Sequence, residues 1–331
     1  MLSFWENKPV LVTGAGGFIG SHLVERLLKE GARLRAFVRY TSRNDPGLLR
    51  HLSPEDLRRI ELVGGDLRDA HAILQAVRGC EIVFHLGALI SIPYSYYHPG
   101  EVVETNVMGT LNVLAACKEA GVGRLVHTST SEVYGTARKA PIDESHPLQG
   151  QSPYSASKIG ADKLAESFAC AYNLPVVTVR PFNTYGPRQS GRAVIPTIIT
   201  QALALDAIRL GNLDTTRDFT YVSDTVNGFI RAGEAGGVDG QTFNLGSGQE
   251  IRVGDLAQKI VQIIGRKVEV QVDAQRLRPE RSEVLRLISD NRQALAGLGW
   301  HPEVSLEAGL QRTIAWVSDN LDWYPVGTYQ F

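Results

Sequence analysis

A doubly wound parallel α/β sheet with a smaller mixed α/β domain beside it is the fold class predicted by the order of apolar segments along the 331 residues. Three observations carry it. Short apolar runs alternate with amphipathic stretches through the first half, the pattern of parallel strands joined by right-handed crossovers. A glycine-rich turn joins the first apolar run to the first amphipathic stretch. From Pro175 onward, proline and glycine punctuate the chain at Pro181, Gly186, Pro187, Gly191 and Pro196, and amphipathic stretches 253–264 and 306–317 lie between short strands. The expected division is residues 1–180 with 219–248 interleaved as the first domain, and 181–218 with 249–331 as the second. No internal repeat, low-complexity tract or long linker interrupts it.

Hydrophobic residues make up 43% of the chain, and Lys+Arg 34 against Asp+Glu 35 gives a net charge of −1. That balance leaves no electrostatic footprint for nucleic acid or an anionic membrane, so any bound anion is met by local groups. Cys80, Cys117 and Cys170 are odd in number, far apart and set among apolar residues. They predict buried thiols in a reducing compartment rather than a disulfide framework or a metal site. No apolar run approaches the roughly 18 residues that span a bilayer, and residues 1–6 lack a basic leader and cleavage site. A cytoplasmic location follows as the expectation.

Taken in order, Val10-Leu11-Val12 is a strand that runs into Thr13-Gly14-Ala15-Gly16-Gly17-Phe18-Ile19-Gly20 and then into the helical spacing Leu23, Leu27, Leu28. The Gly14, Gly17, Gly20 spacing is a variant of the dinucleotide fingerprint: the backbone approaches a pyrophosphate at a helix N-terminus, where the dipole and free N–H groups favour negative charge. A Rossmann-type cofactor domain is the reading, with Gly14, Gly17, Phe18, Ile19 and Gly20 at the cofactor. The second strand, 34–38, ends at Arg39 rather than at an acidic residue, and Tyr40, Thr41, Ser42 and Arg43 follow. A guanidinium with hydroxyls suits a 2′-phosphate, so NADP is favoured over NAD, the alternative being a solvated basic loop. The third strand closes at Asp66 and Leu67, placed to meet adenine. The fourth, 81–88, ends in small residues that allow close approach, with Leu86 and Ala88 as cofactor contacts and His85 read as a packed strand histidine. The loop 89–94 lies where doubly wound sheets place ligands, and Ile90 is its substrate candidate. Asn106 opens an amphipathic helix through Cys117, either as a cap or as a polar group buried for a purpose. Strand 124–127 then delivers Thr128-Ser129-Thr130-Ser131-Glu132-Val133-Tyr134-Gly135 at its carboxyl end.

Tyr154 and Lys158 are four apart, so on a helix both leave one face. A cation beside a phenol stabilises the phenolate and makes a base of a group whose ordinary pKa is about 10. Alone this spacing is common; its context is what makes it specific.

The glycine spacing, Asp66, the His85-Leu86-Gly87-Ala88 strand end, Asn106-Val107-Met108-Gly109-Thr110, Thr130 and the Tyr154/Lys158 pair together resemble the extended short-chain dehydrogenase/reductase family, over essentially the whole chain. The resemblance implies a tightly bound NAD(P)+ and a nucleotide-diphosphate sugar that is oxidised at C4, altered and reduced again. Tyr154 would be the base at the C4 hydroxyl, Lys158 would tune it and hold the nicotinamide ribose, and Thr130 would complete the relay. Arg180-Pro181-Phe182-Asn183-Thr184-Tyr185-Gly186-Pro187-Arg188 resembles the family's crossing segment, with Asn183 and Arg188 at the substrate. Thr216-Arg217-Asp218 and Arg278-Pro279-Glu280 resemble segments whose arginines, here Arg217 and Arg278, meet phosphate and nucleotide. Family members also pair through two helices each, which implies a homodimer built on the helices after Asn106 and around Tyr154.

The Ser131-Glu132 pair bears on the reaction. A C4 epimerase has no necessary task for a carboxylate beside the threonine; a 4,6-dehydratase does, because Glu132 can remove the C5 proton once C4 is a ketone. The familiar hexose dehydratases have Thr-Asp-Glu where this chain has Thr130-Ser131-Glu132. UDP-glucuronate decarboxylases also carry Thr-Ser-Glu. The wording of 128–135, 141–144, 147–154 and 193–197 is similar to the N-acetylglucosamine-nucleotide 4,6-dehydratases of legionaminic-acid-type pathways. The expectation is a 4,6-dehydratase acting on UDP- or GDP-GlcNAc; a decarboxylase, an epimerase and a cofactor-sensing binding protein are the rivals.

Overall fold

The computed structural model describes residues 3–43 and 45–328; Met1 and Leu2, on which the leader expectation partly rests, lie outside them. The main sheet begins with β1 (Pro9–Thr13), β2 (Arg33–Arg39), β3 (Ile60–Gly65), β4 (Ile82–His85), β5 (Arg124–Thr128) and β6 (Val176–Pro181). The chain then leaves it for β7 (Asn183–Tyr185), β8 (Ala207–Leu210) and β9 (Thr216–Tyr221), and returns with β10 (Thr242–Leu245). The strands lie in the order β3-β2-β1-β4-β5-β6-β10, each pair parallel. Strand order reverses between β1 and β4, which opens a crevice at the carboxyl ends.

Alternate side chains of these strands feed two cores. Val10, Val12, Phe84 and Val126 face one, and Leu11, Val83 and Leu125 face the other, as a period of two requires. The first face is covered by α1 (Phe18–Lys29) and, from the later part of the chain, by the helix Val222–Glu234. A short α2 (Pro54–Arg58) leads into β3, and α3 (Ala70–Val77) begins the cover of the second face. After β4 come α4 (Ile92–Tyr97) and α5 (Pro99–Val103), then a π-helical stretch Glu104–Met108 that runs into α6 (Gly109–Ala120). Asn106 therefore lies inside a continuous helix and does not cap one. The long α7 (Pro153–Tyr172) packs beside α6. Its start is fixed by a capping box between Ser152 and Ser155, with Pro153 at the first helical position.

The rest of the chain builds a second layer of small sheets. Strand β7 pairs parallel with β9, and β9 antiparallel with β11 (Glu250–Arg252); β8 pairs with β12 (Glu269–Val272). Helices α8 (Val194–Ala204), α9 (the Val222–Glu234 helix), α10 (Val253–Ile264), α11 (Arg292–Leu298) and α12 (Leu306–Asp319) complete it. One expectation needs correction. Cys170 is exposed, because it lies on the outer side of α7, and Cys80 is half-buried; Cys117 alone is a core thiol. Near the C-terminal end, Tyr324 is buried, its ring 6.2 Å from that of Trp316 and its hydroxyl donating to the Gln189 carbonyl at 3.0 Å. Among the described residues no helix is long and apolar enough to cross a membrane.

Candidate active site

Residues 14–17 turn the chain from β1 into α1. Gly14 has φ 69°, and a Cβ there would lie 2.7 Å from the Gly87 nitrogen; one on Gly20 would lie 2.2 Å from the Gly14 carbonyl oxygen. Turn, helix and the loop after β4 are in backbone contact, which only glycine permits. Gly17 caps α1 without a side-chain hydrogen bond, and the first turn holds no acidic residue. The N–H groups at Phe18 and Ile19 thus form a site for a phosphate group, and the cradle fits a dinucleotide.

Thr13 Oγ1 accepts from the Gly87 N–H at 3.1 Å and meets His85 Nδ1 at 2.8 Å, which fixes the loop bearing Leu86 and Ala88. His85 is a packed strand histidine: its Nε2 meets Thr110 Oγ1 at 3.0 Å, and burial holds its pKa well below the ordinary value. Asn106 is the polar group buried for a purpose. Its Oδ1 accepts from the Leu89 N–H at 2.8 Å, while its Nδ2 donates to the Leu89 carbonyl at 2.9 Å and to Ser157 Oγ at 3.0 Å. The same side chain thereby joins the loop after β4 to α7, with Ile90 exposed at the loop's edge.

At the end of β2 a pocket of about 280 Å³ opens beside Arg39, Tyr40, Thr41 and Asp45. The Arg39 side chain is 67% exposed and 3.7 Å from Glu101. Asp66 accepts from the Arg68 backbone N–H and guanidinium at 2.7 to 3.0 Å, and the Arg68 hydrogen bonds hold its pKa at about 2. Leu67 is buried, within reach of Gly87 and Gly109.

Tyr154 and Lys158 share one buried face of α7. The Thr130 hydroxyl hydrogen-bonds Tyr154, which lowers its pKa, but burial raises it by more, and the Glu132 and Asp162 charges raise it further. Lys158 Nζ donates to the Thr128 carbonyl at 2.7 Å. Burial pulls its pKa down to about 8 against the attraction of Asp162. Thr130 also caps a 3₁₀ turn, Ser131–Tyr134, accepting from the Glu132 N–H at 3.2 Å. Ser131 is buried; Glu132 is half-buried, and its charge acts on both Tyr154 and Arg217. Thr130, Glu132, Tyr154 and Arg217 are therefore brought together.

Arg217, on β9, is buried, and burial lowers its pKa. Its Nη2 lies 3.4 Å from Glu283 Oε1, and Arg278 Nη1 lies 3.8 Å from the same oxygen. Asn183 donates to the Asp218 carbonyl at 3.2 Å, which seats it beside Arg217. Arg188 is placed differently: it pairs with Glu25 of α1 at 2.8 Å, in a left-handed backbone conformation at φ 68°. Among the described residues no group of three or more His, Cys, Asp or Glu side chains is arranged to hold a metal ion.

Three residues around this group escaped the sequence reading. Glu283 bridges two arginines and had no signal beyond its nearness to Arg278 in sequence. Asp162 continues the spacing of Tyr154 and Lys158 by one more step of four and lies buried beneath them, so the helical period was a usable signal. Arg180, quoted only as the start of a segment, pairs with Asp162 at 3.0 Å.

The chain matches the family model described as GDP-mannose 4,6 dehydratase over residues 11–313. It is 37% identical over 311 residues to the UDP-glucose 4-epimerase of Mycolicibacterium smegmatis, covering 92% of this chain and 96% of that protein. A double mutant of the dTDP-glucose 4,6-dehydratase DesIV from Streptomyces venezuelae, solved with NAD bound, has a TM-score of 0.85 and 33% identity, covering 95% of this chain and 98% of that one. The UDP-N-acetylglucosamine 4-epimerase from Methanobrevibacter ruminantium M1, in complex with UDP-N-acetylmuramic acid, has a TM-score of 0.86 and 27% identity, covering 95% and 99%. With the glycine cradle and the Tyr154/Lys158 face in place, the chain belongs to the GDP-mannose 4,6-dehydratase-like extended short-chain dehydrogenase/reductases, enzymes of nucleotide-sugar dehydration and epimerisation.

Proposed function

We propose that the protein is a nucleotide-sugar 4,6-dehydratase that converts UDP- or GDP-GlcNAc to the 4-keto-6-deoxy sugar. The observation that carries this reading is Glu132, held at the end of β5 with its charge against both Tyr154 and Arg217. When bound, the dinucleotide supplies the oxidant for C4 and the reductant for C6. Tyr154, hydrogen-bonded to Thr130, takes the C4 hydroxyl proton. Lys158, on the same face, stabilises the phenolate as that proton leaves. The C4 ketone acidifies C5, and Glu132 removes its proton. Ser131 is far too weak an acid to protonate a leaving group at neutral pH, so the proton taken by Glu132 passes to the departing C6 hydroxyl, which leaves as water; Glu132, reprotonated from solvent, returns a proton to C5 as C6 is reduced, and Tyr154 releases the C4 hydroxyl proton to solvent. Arg217, Arg278 and Asn183 hold the diphosphate, the guanidinium groups offering paired donors.

Both NAD+ and NADP+ fit the reading. The Arg39 guanidinium and the hydroxyls beside it favour a 2′-phosphate, whereas the Streptomyces relative was solved with NAD; parallel titrations with the two dinucleotides separate them. A homodimer through α6 and α7 is part of the same reading, supported by exposed Val103 and Met108 on the helix leading into α6, and sedimentation tests it.

The deciding experiment incubates the protein with UDP-GlcNAc, GDP-GlcNAc or UDP-glucuronate and reads products by mass. Loss of water is expected. An isomer of unchanged mass would establish the 4-epimerase reading, which the Mycolicibacterium relative favours, and loss of carbon dioxide would establish a decarboxylase. Absence of turnover on all three would leave a binding protein.

A further inference from the structure

Glu132 and Tyr154 sit on separate elements that meet at Thr130, which caps the turn and hydrogen-bonds Tyr154. Glu132 rides on a 3₁₀ turn of four residues, too short to be stable by itself, and Tyr154 rides on α7, with a long loop between the two. The Val133 carbonyl accepts from the Gln149 N–H at 2.7 Å, and the turn is fastened further through Tyr134, whose hydroxyl donates to Asn244 Oδ1 at 2.8 Å and accepts from Arg180 Nη1 at 2.8 Å. The other side of the Arg180 guanidinium donates from Nε and Nη2 to Asp162 Oδ2 at 3.2 and 3.0 Å. Asp162 also accepts from Ser129 Oγ at 2.7 Å and meets His127 Nε2 at 3.1 Å, so it grips the strand just before Thr130. Asn244 in turn donates from Nδ2 to the Ile142 carbonyl at 3.0 Å.

We propose that Arg180 is a positioning residue whose guanidinium clamps the helix carrying Tyr154 and Lys158 to the short turn carrying Glu132, so that the groups acting at C4 and at C5 keep a fixed separation. A planar fork with donors on two edges can hold two partners in two directions at once, which an ammonium cannot. The side chains of Arg180 and Asp162 are 7% and 4% exposed. Burying such a pair is a poor route to stability; its use here is registry. Because Tyr134 lies two residues from Glu132, losing that edge of the clamp frees the C5 base and leaves the C4 base in place.

The inference rests on the dehydratase reading for its activity readout and is separated from it by a second measurement. Tyr134→Phe removes one anchor and keeps the ring packed near His146 and Phe182. With GDP- or UDP-GlcNAc, exchange of the C5 proton with deuterated solvent is expected to fall at least about tenfold, while single-turnover C4 oxidation, read as reduced-nicotinamide absorbance, stays within about twofold and KM is unchanged. Arg180→Lys, which keeps the charge and loses the fork, is expected to lower exchange in the same way. Equal losses in both steps, or none in exchange, overturn the inference. If the wild-type enzyme exchanges no C5 proton, the dehydratase reading falls, and hydrogen–deuterium exchange of the intact chain decides the clamp. Tyr134→Phe must then speed amide exchange in residues 131–135 and leave α7 unchanged; unaltered exchange in 131–135 overturns it.

Discussion

Lys158 should destabilise the free enzyme at neutral pH, and replacing it by methionine should make the fold stronger. Burial lowers its pKa from 10.5 to about 8. At about 1.36 kcal/mol per pKa unit, carrying the ammonium in that site costs about 3 kcal/mol. Methionine keeps the unbranched stem and removes the charge, at the loss of the charged hydrogen bond to the Thr128 carbonyl, worth about 2 kcal/mol. The expected net gain for Lys158→Met is about 1 kcal/mol near pH 7. The pH dependence gives the sign. The folded pKa is lowered, so between about 8 and 10.5 the unfolded chain holds more protons, and wild-type stability rises with pH across that window. The advantage of the mutant should shrink over the same range. Urea unfolding of wild type and Lys158→Met without dinucleotide, at several pH values, measures the gap. A mutant less stable than wild type at neutral pH, with a gap that does not move with pH, would refute the assignment of a burdened ammonium.

Other substitutions address single roles. Tyr154→Phe is expected to abolish C4 oxidation while leaving dinucleotide affinity intact, as read by titration and by product mass; normal turnover would remove Tyr154 as the base. Glu132→Gln should still form the C4 ketone and lose C5 proton exchange, measured by NMR in deuterated water. Gly20→Ala puts a Cβ 2.2 Å from the Gly14 carbonyl oxygen, so it should cost about 1–3 kcal/mol in denaturant unfolding and weaken dinucleotide binding in parallel. Arg39→Ala should weaken NADP+ more than NAD+; equal losses in titration would make Arg39 a solvated loop residue.

The sheet was legible because its evidence is local. Runs such as Val10–Val12 and Ile82–Phe84 are buried on both faces, so they read as continuous apolar strands, and the glycine turn has a fixed spacing. The Tyr154/Lys158 face was legible for the same reason, since a period of four is visible without tertiary knowledge. What the sequence could not give is which polar groups meet across elements. Asn106 read equally as a cap, because a π-helical stretch has no compositional mark and its partners, Leu89 and Ser157, lie far off along the chain. Arg180 looked like the first letter of a motif; its partners come from α7 and from the turn after β5. Arg188 was judged by its neighbours in sequence, while its actual partner, Glu25, is on the first helix.

On the proposed reading, in which Arg217 and Arg278 receive the diphosphate, the Glu283 carboxylate between them also sets how the ligand is met. With Glu132 close by, two guanidinium groups stand against two carboxylates, so the cleft is nearly charge-balanced when empty. A cleft of that kind projects little field beyond a Debye length, and a dianionic diphosphate bound as proposed would gain its attraction only on arrival, by taking the guanidinium contacts that Glu283 holds. Association should therefore be ordinary in rate and only mildly sensitive to ionic strength, with discrimination exercised at contact range.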